Sequence, residues 1–196
     1  NNKTADEIIE AFDAGVGRFV VDSFAEIEFL AKLAKENGKT VSVLVRVLPG
    51  IEAHTHKFIQ TGKLDSKFGI PIAQLAKAVR QIADSGSLEF VGLHAHIGSQ
   101  IFKVKPFTVL AEKMCDLAMD IKKKTGQVTR ELNLGGGIGV AYTASDDPPE
   151  IESYIKGIAQ ALKNKLGHMS PKLIIEPGRS IVAQAGVSLY TVGNIK

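Results

Sequence analysis

The chain has 196 residues, a net charge of +3, 44% hydrophobic and 23% charged residues. That length supports one domain with a sizeable core, and so small and dispersed a charge argues against nucleic acid as a partner. No apolar run approaches the length of a membrane span and no signal peptide is visible. The one cysteine, Cys115, rules out an internal disulfide and fits a reducing compartment, with a cytoplasmic (or, in a plant, plastid) location expected.

The first helix signal is Thr4-Ala5-Asp6-Glu7, a capping box in which Glu follows the Thr cap by three residues. Ile8, Ile9 and Phe12 supply its apolar face, and Gly15 is a natural stop. Residues 18–22 form a short apolar run that reads as a buried strand. Ser23-Phe24-Ala25-Glu26 is a second capping box, opening a helix that buries Ile27, Leu30 and Leu33. Residues 41–47 are the next strand, and residues 48–70 show no sustained period. A helix is expected over 71–83 with Pro71 in its first turn, a strand over 89–97, and a helix over 106–123. Its end, Lys122-Lys123-Lys124, suits the negative pole of the helix dipole. A strand over 131–134, a helix over 151–166 and a strand over 173–176 follow, and then a run over 181–195 rich in β-formers. The chain opens without Met and stops inside that run, so it reads as a piece of a longer protein.

Strand and helix alternate throughout, and the strands are apolar on both faces. That pattern predicts a parallel sheet covered by helices, either doubly wound or a (β/α)8 barrel. A full barrel has eight strands in about 250 residues. Five strands here imply a TIM-type barrel that is incomplete.

The residues with chemical potential all fall at the C-terminal ends of predicted strands, where β/α folds bind ligands. Residues 132–139 end a strand in Gly135-Gly136-Gly137, a turn whose bare backbone can approach an anion. In His94-Ala95-His96-Ile97-Gly98-Ser99-Gln100, alternation puts His94 and His96 on one face. They are candidates for a metal pair, for stacking on a planar ligand, or for a hydrogen-bonded core pair. In Glu176-Pro177-Gly178-Arg179, Glu176 shares a face with Ile174, so a carboxylate is expected to point into an apolar interior and to need a partner. Arg179 can fork onto a phosphate or carboxylate. Phosphate sites in such barrels are often built by the last two strand-end loops, here the loops carrying Gly135–Gly137 and Gly178-Arg179.

These three motifs, in this order, resemble the alanine-racemase-like, fold-type III pyridoxal-phosphate decarboxylases. Asn1-Asn2-Lys3-Thr4, Ala53-His54-Thr55-His56 with Gln60-Thr61-Gly62, and Asp65-Ser66-Lys67-Phe68-Gly69-Ile70 are similar to the branch that acts on diaminopimelate. Gln100 after Gly98-Ser99 favours that branch over the ornithine type.

The resemblance implies pyridoxal 5'-phosphate as cofactor, with His96 on the pyridine ring and Glu176 at its nitrogen. Ser99, Gly135, Gly136, Gly137, Gly178 and Arg179 would hold the phosphate, Arg179 also reaching the substrate carboxylate. It implies decarboxylation of meso-2,6-diaminopimelate to L-lysine by a homodimeric full-length enzyme acting on a small amino acid, with no metal. The family's Schiff-base lysine belongs upstream and its acidic cysteine in a C-terminal β domain, so this piece alone is expected to be inactive. Neither Lys67 nor Cys115 matches those motifs. Three alternatives stay open: another amino-acid decarboxylase of the family (ornithine, arginine or carboxynorspermidine type), a non-catalytic homologue, and a metal-dependent barrel hydrolase using His94 and His96.

Overall fold

The computed structural model describes residues 2–51, 68–167 and 169–194. The motifs over 53–62 and 65–67 lie outside the described residues. Helix α1 (Ala5–Asp13) starts at Thr4, whose hydroxyl accepts from the Glu7 amide while Glu7 reaches back to the Thr4 amide. Strand β1 (Phe19–Val21) leads to α2 (Phe24–Glu36), capped by Ser23. The second capping box is only half made. Ser23 accepts from the Glu26 amide, but the Glu26 carboxylate turns back to the Asp22 amide at 2.6 Å and to Lys3 at 2.6 Å.

Strand β2 (Val41–Leu48) is followed by a two-residue strand β3 (Ile70–Pro71), which pairs with its end. The helix expected from Pro71 therefore begins later. Pro71 completes β3, Ile72–Gln74 form a 3-10 turn, and α3 runs Leu75–Asp84. Strand β4 (Leu88–His94), α4 (Lys105–Thr125), β5 (Glu131–Asn133), α5 (Ile151–Lys165) and β6 (Lys172–Ile174) complete the alternation. A four-residue helix, α6 (Arg179–Val182), follows. The β-rich run after it makes no strand. Residues 186–194 have no regular structure, and Val187, Leu189 and Tyr190 are at least 88% exposed.

The sheet is six-stranded, one more than expected, with order β1-β2-β4-β5-β6 and every pairing parallel. That order separates the two candidate architectures. A doubly wound sheet reverses direction at a switch point. Here β4, β5 and β6 each add to the same edge, with β3 pairing off the end of β2, and α1 to α5 pack as neighbours in chain order. This is the progression of a barrel wall, open in the described residues.

One continuous core runs between this wall and the helices, from Ile8 and Ile27 through Val79, Leu93 and Leu110 to Tyr154 and Ile158. Cys115 is fully buried in it, and burial pushes its thiol up to about 11, so it behaves as a small apolar residue. The core also depends on close strand contact at Gly92, where a Cβ would lie 2.0 Å from the Glu131 carbonyl oxygen. Both atoms belong to paired backbone and neither can swing away. Gly92→Ala should therefore cost about 1–3 kcal/mol through overpacking, read as a lower urea midpoint with an unchanged slope.

Candidate cofactor site

Parallel register carries one polar row across the C-terminal edge of the sheet. Arg46 on β2 aligns with His94 on β4, and His94 aligns with Asn133 on β5. Asp22, just past β1, faces Arg46 at 3.7 Å. Glu176 lies two residues beyond the end of β6 and meets this row from the far side. His94 Nε2 is 3.2 Å from one carboxylate oxygen, and Asn133 donates to the other at 2.8 Å.

Lys3, Val20, Asp22, Arg46, His94, His96 and Glu176 line one cleft of about 350 Å³. The expectation of an apolar interior around Glu176 is corrected here. Its side chain is 49% exposed and its surroundings are polar. The strand ends at Ile174, so alternation no longer dictates where Glu176 points.

The His94 contact, followed by the Asn133 hydrogen bond, outweighs burial and holds the Glu176 carboxyl down at about 2. Burial first, and then the Arg46 charge, lower the pKa of His96. The Gly136 amide donates to His96 Nδ1 at 3.2 Å, so the neutral ring carries its proton on Nε2. His94 is one half of the candidate metal pair with His96. Its Nε2 is committed to Glu176, and among the described residues no group of three His, Cys, Asp or Glu side chains is placed to hold a metal ion.

The loops after β4, β5 and β6 touch backbone to backbone. A Cβ at Gly136 would lie 2.2 Å from the Glu176 carbonyl oxygen, and one at Gly137, where φ is +109°, would lie 2.3 Å from the Gly98 carbonyl oxygen. The Glu176 amide donates to the Gly135 carbonyl at 2.8 Å. Gln100 clamps the next layer, its amide bonding both the N–H and C=O of Val140. Much of the glycine turn thus serves loop packing. The Gly135 amide is taken by Asn133 and the Gly136 amide by His96. The Gly137 amide has no partner among the described residues.

Arg179 does not pair with Glu176. Its Nε donates to Ser99 Oγ at 3.1 Å, and its guanidinium also meets the hydroxyl and ring of Tyr142. The position a Cβ would take at Gly178 is open.

Comparison with known proteins agrees with this geometry. The family model described as "Pyridoxal-dependent decarboxylase, pyridoxal binding domain" matches residues 1–183. The chain belongs to that family.

The diaminopimelate decarboxylase of Bacillus subtilis (strain 168) is 42% identical across all of this chain and 46% of its own length. The Staphylococcus aureus (strain COL) protein of the same name is 46% identical with the same coverage. The chain thus spans about half the length of the curated relatives it matches. Among solved structures, a Helicobacter pylori diaminopimelate decarboxylase complexed with L-lysine gives a TM-score of 0.85 at 32% identity, covering 93% of this chain and 45% of that one. A diaminopimelate decarboxylase from M. jannaschii, in co-complex with L-lysine, gives 0.83 at 35%, covering 94% and 43%.

The domain's donor set suits an aromatic phosphate. One end of the site offers an ionised carboxylate half open to a cleft beside an oriented imidazole. The same three loops, a few residues on, offer an unpartnered amide, a hydroxyl, a guanidinium and open space at Gly178. Asn133, Arg46, Asp22 and Tyr142 were absent from the sequence-based site. Asn133 had a signal, as the lone polar residue in Leu132-Asn133-Leu134 just before the glycines. Arg46 likewise interrupts an apolar strand.

Because Glu176 titrates at about 2 against an ordinary 4.5, its contribution to stability is complete above about pH 4.5 and is lost as pH falls toward about 2. Glu176→Gln should flatten the acid side of the stability curve in that window. Urea unfolding of both proteins at a series of pH values from roughly 5 to 2.5 checks this.

Proposed function

We propose that the full-length protein is a diaminopimelate decarboxylase. It removes carbon dioxide from meso-2,6-diaminopimelate to give L-lysine, with pyridoxal 5'-phosphate as cofactor, and works as a cytoplasmic homodimer. This chain supplies most of the cofactor cradle. The observation that carries the reading is the Glu176 carboxylate, held ionised by two donors and half open in the cleft that His96 also lines.

When bound, pyridoxal 5'-phosphate would supply an electron sink through its protonated pyridine ring. Glu176 would accept from the ring nitrogen and keep a proton there. His96, neutral and oriented by the Gly136 amide, offers its face to the ring. Ser99, Gly137, Gly178 and Arg179 hold the phosphate. Gly135 and Gly136 act one step behind, closing the turn that aims Gly137. The relatives' names and the residues 1–183 family match support the reading. The covalent anchor and the proton donor fall to the remainder of the full-length protein.

In the full-length enzyme, Glu176→Ala should lower kcat for diaminopimelate by roughly 100-fold or more while the protein keeps its bound-cofactor absorbance. Near-wild-type turnover would refute the ring-nitrogen role. Wild-type enzyme that is colourless when folded would refute the cofactor. Faster decarboxylation of ornithine, arginine or lysine than of diaminopimelate would move the protein to another branch of the family.

A further inference from the structure

We propose that His94 is a positioning residue, which fixes the plane of the Glu176 carboxylate from behind and so aims its free lone pairs into the cleft. This rests on the reading that Glu176 serves the ring nitrogen of the cofactor. His94 itself is assigned no part by that reading.

The geometry is that of a two-sided clamp. A carboxylate at the end of a Glu side chain turns easily about its last torsion. Here each oxygen has its own donor, His94 on Oε2 and Asn133 on Oε1, from adjacent strands in register. The clamp is buried on the protein side only. The His94 side chain is 6% exposed and that of Glu176 is 49% exposed. Two of the roughly four acceptor positions of the carboxylate are used from behind, leaving the others for a ligand.

The His94 tautomer follows from burial. Its Nδ1 is buried with no hydrogen-bond partner among the described residues. In the neutral ring, a proton on Nδ1 would leave an orphaned donor there and turn the bare Nε2 lone pair toward an anion. A proton on Nε2 leaves only a bare acceptor at Nδ1 and gives Glu176 a donor. The second arrangement is the cheaper one. A buried imidazole left half unsatisfied is costly, which is the physical sign of a residue kept for its other nitrogen. An acceptor oriented in advance loses little reorganisation energy when a charged donor arrives.

The test uses the full-length protein with His94→Leu, which removes the donor, and His94→Gln, whose amide can replace it. The first measurement is the titration of the Glu176 carboxyl by 13C NMR without cofactor, assigned against Glu176→Gln. The charged and titratable groups that share the cleft with this carboxyl are Lys3, Asp22, Arg46, His94 and His96, and only His94 differs between the proteins compared. In wild type and His94→Gln the carboxyl should titrate well below ordinary carboxylates. In His94→Leu it should move up toward them. The second measurement is kinetic. His94→Leu should lower kcat roughly tenfold with pyridoxal 5'-phosphate affinity within about threefold of wild type, and His94→Gln should restore most of kcat.

A His94→Leu protein that matches wild type in both measurements overturns the proposal, as does a folded His94→Gln that fails to restore either. If His94→Leu does not fold, His94→Asn, whose shorter amide stops short of Glu176, gives the same comparison. Failure of wild type to bind the cofactor would sink the decarboxylase reading alone, because the carboxyl titration judges the clamp without it.

Discussion

Three loops meet at the C-terminal edge of the sheet at backbone distances that exclude a side chain. Gly136 lies against the Glu176 carbonyl and Gly137 against the Gly98 carbonyl. Everything else at the site inherits its position from this contact. It brings the Glu176 amide onto Gly135, the Gly136 amide onto His96, and Ser99 within reach of Arg179. The glycines permit loop packing first. Of the three glycine amides, only that of Gly137 is left without a partner among the described residues.

The electrostatics follow from the same convergence. A carboxylate of Glu176's exposure would ordinarily titrate like any surface acid. Two donors from neighbouring strands hold it down at about 2. The same cleft lowers the pKa of His96 through burial and the nearby Arg46 charge. An anion and a neutral aromatic ring thus sit side by side, the combination a protonated heteroaromatic ring requires. The alternative use of His94 and His96 as a metal pair is at odds with the contacts each ring makes. One holds a carboxylate and the other accepts from a backbone amide.

Much of this was legible along the chain. Alternation of apolar runs with amphipathic stretches placed the five strands β1, β2, β4, β5 and β6 and the main helices, since burial of one face is written in residue spacing. The caps at Thr4 and Ser23 marked helix starts within a residue. Among the expectations that needed correction, two lay at places where spacing stops carrying information. Pro71 went to a short strand because β2 offered a free edge beside it. Glu176 faced a polar cleft because it lies beyond the last hydrogen-bonded residue of its strand.

The amino-acid sequence by itself determined the α/β class and the strand-end position of the candidate groups His96, Ser99, Gly137, Glu176, Gly178 and Arg179. These depend on local periodicity and on residue chemistry, which are read within a few positions of each other. Only the tertiary structure decided that the sheet winds one way, and that Arg46, His94 and Asn133 form a single row. Only there do His94 and Asn133 grip Glu176, from 82 and 43 residues away. Register between strands is set by packing across the whole sheet, so no short stretch of chain contains it.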